Sequence, residues 1–352
     1  MKKVLTILLA VLVSLSLVAC SKGGEEKDSG GKVGIILVGN ENEGYTAAHI
    51  DGIKAAAEAL GLTDKIIWKY DVQENQSCKE AAVDLIDQGA TLIMSNSYGH
   101  QYYMQEAAAE YPDVTFVSLT GDTAADSGLK NFKNAFNHTY ESRYVSGVVA
   151  GLKLKELVDN GTVTKEKLPA AFTADGDIKI GYVGAFPYAE VVSGYTAFYL
   201  GVKSIVPNVH MLVEYTNYWF EISKEGQTAE SLMQKGCVII SQHADSTGAP
   251  AAVEAALKNG TVAYSVGYNV SMLAVAPTAA LTSASNDWSV YYKYALGLFK
   301  EGKAMDIATD WAEGYKTGAV CITDLGASCA EGTAEEVEKV IAAIKNGDRK
   351  ST

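Results

Sequence analysis

The sequence predicts an α/β protein of two similar lobes, each a doubly wound parallel sheet with helices on both faces. Along almost the whole chain, short apolar runs rich in β-branched residues alternate with segments whose apolar residues recur at helical spacing. Continuous apolar strands separated by helices are typical of parallel sheets that are buried on both faces. Because ten such runs exceed one comfortable sheet, we expect two sheets.

The individual elements follow from these runs. The predicted strands are 33–38, 66–70, 91–94, 114–119, 178–183, 209–215, 238–241, 262–266, 281–283 and 319–323. Helical spacing is clear over 79–88, 141–157, 191–205, 251–258 and 290–299. The stretch 121–138 follows the fourth strand and has no predicted strand, so we expect the break between the two sets of units there.

The first residues have the layout of an export signal. Lys2 and Lys3 precede an apolar stretch, 4–19, which is shorter than the roughly 20 residues of a membrane-spanning helix. The stretch ends in LVAC, which resembles the bacterial lipobox, where the cysteine receives a diacylglyceryl group. We therefore expect a signal peptide over 1–19 and a lipid anchor at Cys20 on the outer face of the cell membrane. The alternative is an ordinary signal peptide followed by a chance cysteine.

Composition narrows the class of protein. After the leader and a Gly-, Ser- and charge-rich tether over 20–31, about 320 residues remain, enough for two lobes of ordinary size. The net charge of −13 argues against nucleic acid as a partner, because phosphate contacts need a basic face.

The cysteines do not indicate a metal site. Cys78, Cys237, Cys321 and Cys329 match no zinc-binding spacing, so we expect neither a metal nor a cofactor. In an exported protein a disulfide is permitted, and the pair Cys321 and Cys329 is close enough in sequence to form one. Free buried thiols are the alternative.

Polar and aromatic loops follow most of the predicted strands. They include GNENEGYTAAH after the first strand, SNSYGH after the third, GAFPYAE after the fifth, YTNYWF after the sixth and SQHADSTGAP after the seventh. Ligands of open parallel sheets bind beyond the carboxyl ends of the strands. Aromatic walls with a few placed polar groups are the composition of a small-molecule site, so we expect one cleft between the lobes.

An ordered set of segments resembles the basic membrane protein (BMP) family of substrate-binding lipoproteins. The segments are the lipobox, GYTAAHIDGIKAAAEALG, YPDVTF, YESRYVSGVVAGL and IGYVGAFPYAEVVSGYTAFYLG, and the resemblance covers roughly 32–345. It implies the type I periplasmic-binding-protein fold and capture of a ligand between the lobes. It also implies delivery to an ABC importer, formed by a permease and an ATPase. Purine nucleosides or nucleobases are the main ligands of the family, and adenine is our first choice.

The resemblance further implies how the chain divides. Lobe 1 would contain 32–121 and about 284–301, and lobe 2 about 122–283 and 302–352, with crossings near 121–137, 283–287 and 301–310. The helix 290–299 would return to the first lobe. We expect a monomer.

Eight residues are candidates for ligand binding. The rings of Tyr45, Tyr98 and Trp219 offer flat faces for stacking on a heterocycle. The side chains of His243 and Asp245 can exchange hydrogen bonds with ring N–H or amino groups, whereas Glu41, Asn42 and Glu43 are expected in a solvated loop. The eight candidates are Tyr45, Tyr98, Trp219, His243, Asp245, Tyr268, Asn269 and Asn286.

The residues indicate binding rather than catalysis. His243 and Asp245 resemble part of a catalytic triad, but there is no G-x-S-x-G nucleophile elbow and no activated serine beside them. We therefore predict no catalytic residues and no enzyme activity. The alternatives that stay open are a ligand-sensing co-receptor of the same fold, and riboflavin, a sugar or another small polar molecule as the ligand.

Overall fold

The computed structural model describes residues 30–349. The predicted signal peptide, Cys20 and most of the tether lie outside the described residues. Within the described range no helix is both long and apolar enough to cross a membrane.

In residues 30–349, twelve strands form two sheets of six. The strands are β1 (Lys32–Ile36), β2 (Ile66–Lys69), β3 (Ala90–Ser95), β4 (Thr115–Leu119), β5 (Phe132–Ala135), β6 (Ile178–Gly184), β7 (Val209–Tyr215), β8 (Ile239–Gln242), β9 (Tyr264–Tyr268), β10 (Ala280–Asn286), β11 (Asp310–Trp311) and β12 (Val320–Ile322). The first sheet has the order β11-β5-β4-β3-β1-β2 and the second β12-β10-β9-β8-β6-β7. All neighbours are parallel except β10 and β12, which are antiparallel.

Ten helices connect the strands in the part of the chain that the structure describes. They are α1 (Gly44–Leu60), α2 (Gln76–Asp87), α3 (Gln101–Glu110), α4 (Ala124–Ser127), α5 (Thr139–Asp159), α6 (Ala189–Lys203), α7 (Ile222–Gln234), α8 (Gly248–Lys258), α9 (Trp288–Lys300) and α10 (Thr333–Lys345). Four short 3₁₀ turns are Thr63–Lys65, Tyr98–His100, Pro169–Ala171 and Ala304–Asp306. The alternation of strands and helices confirms the predicted α/β class.

Each sheet is covered on both faces by apolar side chains. In the first sheet, α1 and α9 pack on one face and α2 and α3 on the other. In the second sheet, α5, α6 and α10 cover one face and α7 and α8 the other. We call the first sheet with α1–α4 and α9 the first lobe, and the second sheet with α5–α8 and α10 the second lobe. The return of α9 to the first lobe agrees with the expectation from the family resemblance.

Two strands were missed from the sequence. All ten predicted strands are present, with ends that differ by a few residues, but the stretch predicted to be free of strands contains β5. Lys133 and Asn134 make β5 look like a loop, yet both are buried. The Asn134 side chain accepts from the amide of Ala124 at 2.6 Å and donates to the carbonyl of Ser118 at 3.1 Å, so its polar groups are bonded. Strand β11 has only two residues and leaves no periodic signal.

These two strands also change the expected lobe boundaries. Residues 132–135 and 310–311 belong to the first sheet, whereas 122–283 and 302–352 were expected in the second lobe. The chain therefore crosses between the sheets after β5, between β10 and α9, and between β11 and β12. The third crossing thus lies at 312–319 instead of 301–310.

The disulfide that the sequence permits between Cys321 and Cys329 is not formed. Cys321 and Cys329 are free thiols, as are Cys78 and Cys237. The Cys329 thiol donates to the carbonyl oxygen of Leu281 at 3.2 Å, so it is directed at the β10 backbone and away from a partner thiol.

Two glycines let α5 and α6 pack at backbone contact. A Cβ atom added to Gly147 would lie 2.2 Å from the carbonyl oxygen of Phe198, and one added to Gly201 would lie 2.2 Å from that of Tyr144. Any larger residue would separate the helices. This contact fixes α5, which carries Arg143, against α6, which carries Glu190.

We expect Gly201→Ala to lower the free energy of unfolding by about 1–3 kcal/mol, because the added methyl group overpacks the contact with α5. Urea unfolding followed by circular dichroism measures the effect. The matched control is Gly297→Ala in α9, where an added Cβ meets no atom within 4 Å. That change should leave stability unchanged or raise it by about 0.5–1 kcal/mol. Equal stabilities of the two variants would contradict the close packing.

Candidate ligand-binding site

A cavity of about 620 Å³ lies between the two lobes, where the loops beyond the carboxyl ends of the strands meet. Loops after β1 to β4 line it from the first lobe, and loops after β6 to β8 with the end of β9 line it from the second. Small-molecule sites typically have volumes of about 300–1,000 Å³. The position and size of the cavity therefore match the cleft predicted from the sequence.

Six of the eight candidate residues line this cavity. They are Tyr45, Tyr98, Trp219, His243, Asp245 and Tyr268. The other two, Asn269 and Asn286, do not belong to its lining. Asn269 donates from its side-chain amide to Asp245 Oδ1 at 2.6 Å, so it orients a residue that lines the cavity.

Asn286 instead lies in a network where the chain crosses between the lobes. Its Oδ1 accepts from Asn137 Nδ2 at 3.1 Å and from Thr139 Oγ1 at 3.2 Å. Asn137 Nδ2 also donates to the carbonyl of Ala319 at 3.0 Å. These bonds join all three crossings, so the Asn286 side chain is held in the hinge region.

The loop after β1 is more ordered than the sequence suggested. Glu43, expected in a solvated loop, caps α1 by accepting from the amides of Tyr45 at 2.6 Å and Thr46 at 2.8 Å. Its carboxyl group lines the cavity, as does Asn42. Burial raises the pKa of Glu43. The loop therefore brings a carboxyl group to the ligand side of the helix start.

Tyr45 is held by contacts inside the first lobe. Its hydroxyl group donates to the carbonyl oxygen of Asn96. Its ring meets His49 edge to face, with ring centroids 4.5 Å apart, and His49 in turn stacks on Trp288 at 4.2 Å. A flat ring that is fixed in this way loses little conformational freedom when a ligand stacks on it.

A row of aromatic rings extends from one lobe to the other beside the cavity. Tyr98 of the first lobe stacks on Tyr188 of the second, with centroids 5.3 Å apart and ring planes 29° apart. Tyr188 stacks on Phe186 at 5.1 Å, and Phe186 meets Trp219 edge to face at 5.1 Å. Tyr98 is thus both a cavity wall and a contact between the lobes. The sequence marked Phe186 and Tyr188 only as part of the loop GAFPYAE.

A buried polar group forms the second-lobe side of the cavity. The Oε1 atom of Glu190 lies 3.9 Å from Nε2 of His243. Behind them Arg143 donates from Nη1 to the carbonyl of Gln242 at 2.6 Å, and its guanidinium lies 3.7 Å from the ring centroid of Tyr268. Within residues 30–349, Glu190 Oε2 and His243 Nδ1 have no hydrogen-bond partner.

Burial shifts the pKa values of these groups strongly. Burial and the charge of Arg143 lower the pKa of His243 well below its usual range, so its imidazole is neutral. Burial raises the pKa of Glu190 to about 8 although Arg143 opposes the rise, and the charges of Asp122 and Glu74 add to it. Burial also raises the pKa of Asp245 well above its usual value, with smaller contributions from neighbouring carboxylates.

In the described part of the chain, five carboxyl groups and four side-chain amides contribute to the polar lining, and its charged groups are all carboxyl groups. They belong to Glu43, Asp71, Glu74, Glu190 and Asp245, and no Lys or Arg is part of the lining formed by the described residues. Carboxyl oxygens accept hydrogen bonds, and the surrounding rings offer apolar faces. The site suits a flat ligand with several N–H or O–H donors. In the part of the chain that the structure describes, no cluster of His, Cys, Asp or Glu is arranged to hold a metal ion.

Several lining residues were not predicted from the sequence. Glu190 comes from the second lobe, and Glu74 and Thr120 come from loops of the first lobe. One carboxyl oxygen of Glu74 is already hydrogen-bonded within the protein. Its Oε1 accepts from Ser97 Oγ at 2.5 Å and from the amide of Gly99 at 3.0 Å. The sequence shows that these residues follow predicted strands. This position does not distinguish a carboxyl group that faces the cavity from one that faces water.

The fold is shared with solved proteins that have two lobes around a cleft, among them ABC transporter solute-binding proteins. The chain superimposes on an ABC transporter solute-binding protein from Aeropyrum pernix K1 with a TM-score of 0.73 and 17% identity, over 91% of this chain and 92% of that one. A transcriptional activator of the comK gene from Bacillus halodurans gives a TM-score of 0.68 at 20% identity, covering 91% and 99%. At such identities these likenesses show the fold alone.

Residues 32–349 match the family of PnrA-like ABC transporter substrate-binding proteins (Bmp), and the chain belongs to this family. Membership confirms the resemblance and the prediction of a binding protein instead of an enzyme.

Two related proteins are named for different ligands. A purine-binding protein of Brucella abortus is 32% identical over 74% of this chain and 66% of its own length. A putative ABC transporter glucose-binding protein of Haloferax volcanii is 28% identical, over 87% and 69%. Basic membrane protein A of Borreliella burgdorferi is 22% identical, over 82% and 77%. The chain thus spans about two thirds of the length of the first two relatives.

The free energy of unfolding should decrease between pH 5 and pH 8, and we expect this decrease to be smaller in Glu190→Gln than in the unchanged protein. The pKa of Glu190 rises from 4.5 to about 8 in the folded protein. Its contribution to stability is therefore complete below about pH 4.5 and is lost as the pH rises to 8, since only the unfolded chain ionises in that window. Glutamine does not ionise.

Thermal unfolding at pH 5 and pH 8 without added ligand measures this difference. The matched control is Glu301→Gln, whose side chain is 60% exposed and which should keep the full loss. The same loss in Glu190→Gln as in the unchanged protein would refute the raised pKa.

Proposed function

We propose that this protein is a lipid-anchored, extracytoplasmic solute-binding protein that captures a purine between its lobes and delivers it to an ABC importer. A nucleobase such as adenine is the first choice of ligand and a nucleoside the second. The observation that carries the proposal is the cavity of about 620 Å³, lined from both lobes by aromatic rings and carboxyl groups.

The lining fits the chemistry of a purine. A purine is flat, so Tyr45, Tyr98 and Trp219 offer faces for stacking, and a stacked base is worth about 1–3 kcal/mol. Its ring and amino N–H groups are donors, which the carboxyl oxygens of Asp245 and Glu190 accept. The purine-binding relative of Brucella abortus supports the same class of ligand.

Delivery requires that the ligand favour one arrangement of the lobes. Because the cavity is lined from both lobes, a ligand in it contacts both and binds the closed arrangement more tightly than the open one. The permease would then recognise the closed form, and the ATPase would drive import. A sensing co-receptor would use the same step; genes for a permease and an ATPase beside the gene of this protein would distinguish an importer from it.

A sugar is the second candidate ligand. The relative of Haloferax volcanii is a putative glucose-binding protein, and sugar hydroxyl groups also donate to carboxylates while sugar rings stack on tyrosine and tryptophan. Riboflavin and other small polar molecules complete the set to be tested.

A thermal-shift screen tests the proposed ligand class. The protein is heated with nucleobases, nucleosides, riboflavin, sugars and amino acids, and each shift is confirmed by calorimetry. A ligand at 100 times its Kd adds about 2.7 kcal/mol to stability, which raises the unfolding temperature measurably. Stabilisation by adenine or another purine supports the proposal. Stabilisation by a sugar and by no purine would overturn the purine assignment.

We expect Tyr45→Ala to weaken purine binding by more than about tenfold, because it removes a fixed stacking face. Calorimetry with adenine measures the Kd. The matched control is Tyr102→Ala, since Tyr102 is 58% exposed and does not line the cavity. An unchanged Kd for Tyr45→Ala would remove this ring from the binding site.

We expect the full-length protein to fractionate with membranes through lipid on Cys20, and Cys20→Ala to abolish this. Partition between detergent and aqueous phases measures whether the protein carries lipid. A protein with two or more acyl chains binds a membrane stably and enters the detergent phase. Aqueous partition of the unchanged, processed protein would show that the lipobox resemblance misleads.

A further inference from the structure

Glu190 presents unused hydrogen-bonding capacity to the cavity. It lies in the first turn of α6 and lines the cavity, and its side chain is only 12% exposed. Its Oε2 has no hydrogen-bond partner within the described residues. The contact of Oε1 with His243 Nε2 is 3.9 Å long, beyond hydrogen-bond distance. A buried polar atom without a partner costs free energy, so a ligand group that bonds to it is favoured.

The charges around this carboxyl group compensate a negative charge only in part. His243 is neutral, and Arg143, which favours ionisation of Glu190, also contacts the Gln242 carbonyl and the Tyr268 ring. Carboxyl groups approach it from both lobes. The titratable groups that surround it are Tyr45, Glu74, Tyr98 and Asp122 from the first lobe, and Arg143, His243, Asp245 and Tyr268 from the second.

Burial outweighs the two effects that favour ionisation. Arg143 lowers the pKa of Glu190, yet the value still rises to about 8. A helix N-terminus lowers a carboxyl pKa by up to about 1.5 units, which is smaller than that rise. The raised pKa therefore favours the protonated form of Glu190 at neutral pH.

We propose that Glu190 is a specificity-determining residue that pairs with the ligand as a neutral carboxylic acid. Its O–H donates to a ring nitrogen, and its carbonyl oxygen accepts from the adjacent N–H of the ligand. The inference rests on the proposed function, since purines carry such an edge of one acceptor beside one donor. A neutral carboxyl group has the complementary pattern, whereas a carboxylate only accepts.

The composition of the lining favours this assignment. Glu43, Asp71, Glu74 and Asp245 already bring carboxyl oxygens to the lining, so a charged Glu190 would add repulsion. The side-chain amides of the lining, Asn40, Asn42, Gln73 and Asn75, all come from the first lobe. A protonated Glu190 supplies a donor to the ring acceptors of a purine from the second lobe.

Two substitutions separate the neutral acid from a carboxylate. The amide of Glu190→Gln keeps one donor beside one acceptor, so the Kd at pH 7 should stay within about threefold. Glu190→Met has similar length and no hydrogen bonds, and it should weaken binding by about tenfold or more. If Glu190 bound as a carboxylate, the glutamine N–H would face a ligand N–H and weaken binding as much as methionine.

The pH profile gives an independent readout. In the unchanged protein the Kd should be constant from pH 6 to 7 and rise by up to about tenfold per unit above pH 8, because binding then takes up a proton. Glu190→Gln should lose this rise. The control Glu254→Gln changes a buried carboxyl outside the cavity lining and should retain it.

The experiment is calorimetry on the full-length protein and the three variants from pH 6 to 9. The probe is the purine of lowest Kd among adenine, hypoxanthine, guanine and their nucleosides. Tight, pH-independent binding by Glu190→Gln together with weak binding by Glu190→Met supports the inference. Weak binding by Glu190→Gln, or a retained rise of its Kd with pH, overturns it.

The outcomes also separate this inference from the proposed function. If the unchanged protein binds no purine, the purine function and this inference both fail. If it binds a purine but Glu190→Gln binds weakly, or its Kd still rises with pH, only the inference about Glu190 fails. Should Glu190→Met not fold, the pH profile of Glu190→Gln decides alone.

Discussion

The parallel direction of the strands is the constraint on which the site depends. In each sheet the strands that carry the site run the same way, so their following loops meet at one edge. The two edges face each other across the cavity, and residues distant in sequence, such as Tyr45 and Asp245, come to line the same space. A ligand there contacts both lobes, which is the condition for coupling binding to closure.

Buried carboxyl groups give this cavity its electrostatic character. Glu190 and Asp245 are removed from water without a matching cation in hydrogen-bond contact, which raises the pKa of each. Bringing the lobes together around such groups costs desolvation free energy, and a ligand rich in donors offsets that cost by bonding to them. The same groups that discriminate between ligands therefore also make closure depend on the ligand.

The hinge and the site are separate polar networks. Asn137 donates to the Asn286 side chain and to the Ala319 carbonyl, and so joins the three crossings. Asn269 belongs to the site, because it orients Asp245. Asn269 and Asn286 were both predicted from the sequence to contact the ligand. A side-chain amide can equally well hold a hinge or orient a carboxyl group, and only the neighbouring residues in the fold distinguish these roles.

The α/β class, ten of the twelve strands in residues 30–349, the family and most of the aromatic lining could be predicted from the amino-acid sequence, because strand and helix periodicity and strand-end loops are local features. The remaining features depend on contacts between residues that are distant in sequence. Strand β5 is hidden by Lys133 and Asn134, whose burial depends on distant partners. The raised pKa of Glu190 likewise depends on its burial between α5, α6 and the loop after β8, and no local pattern records how much water such a packing excludes.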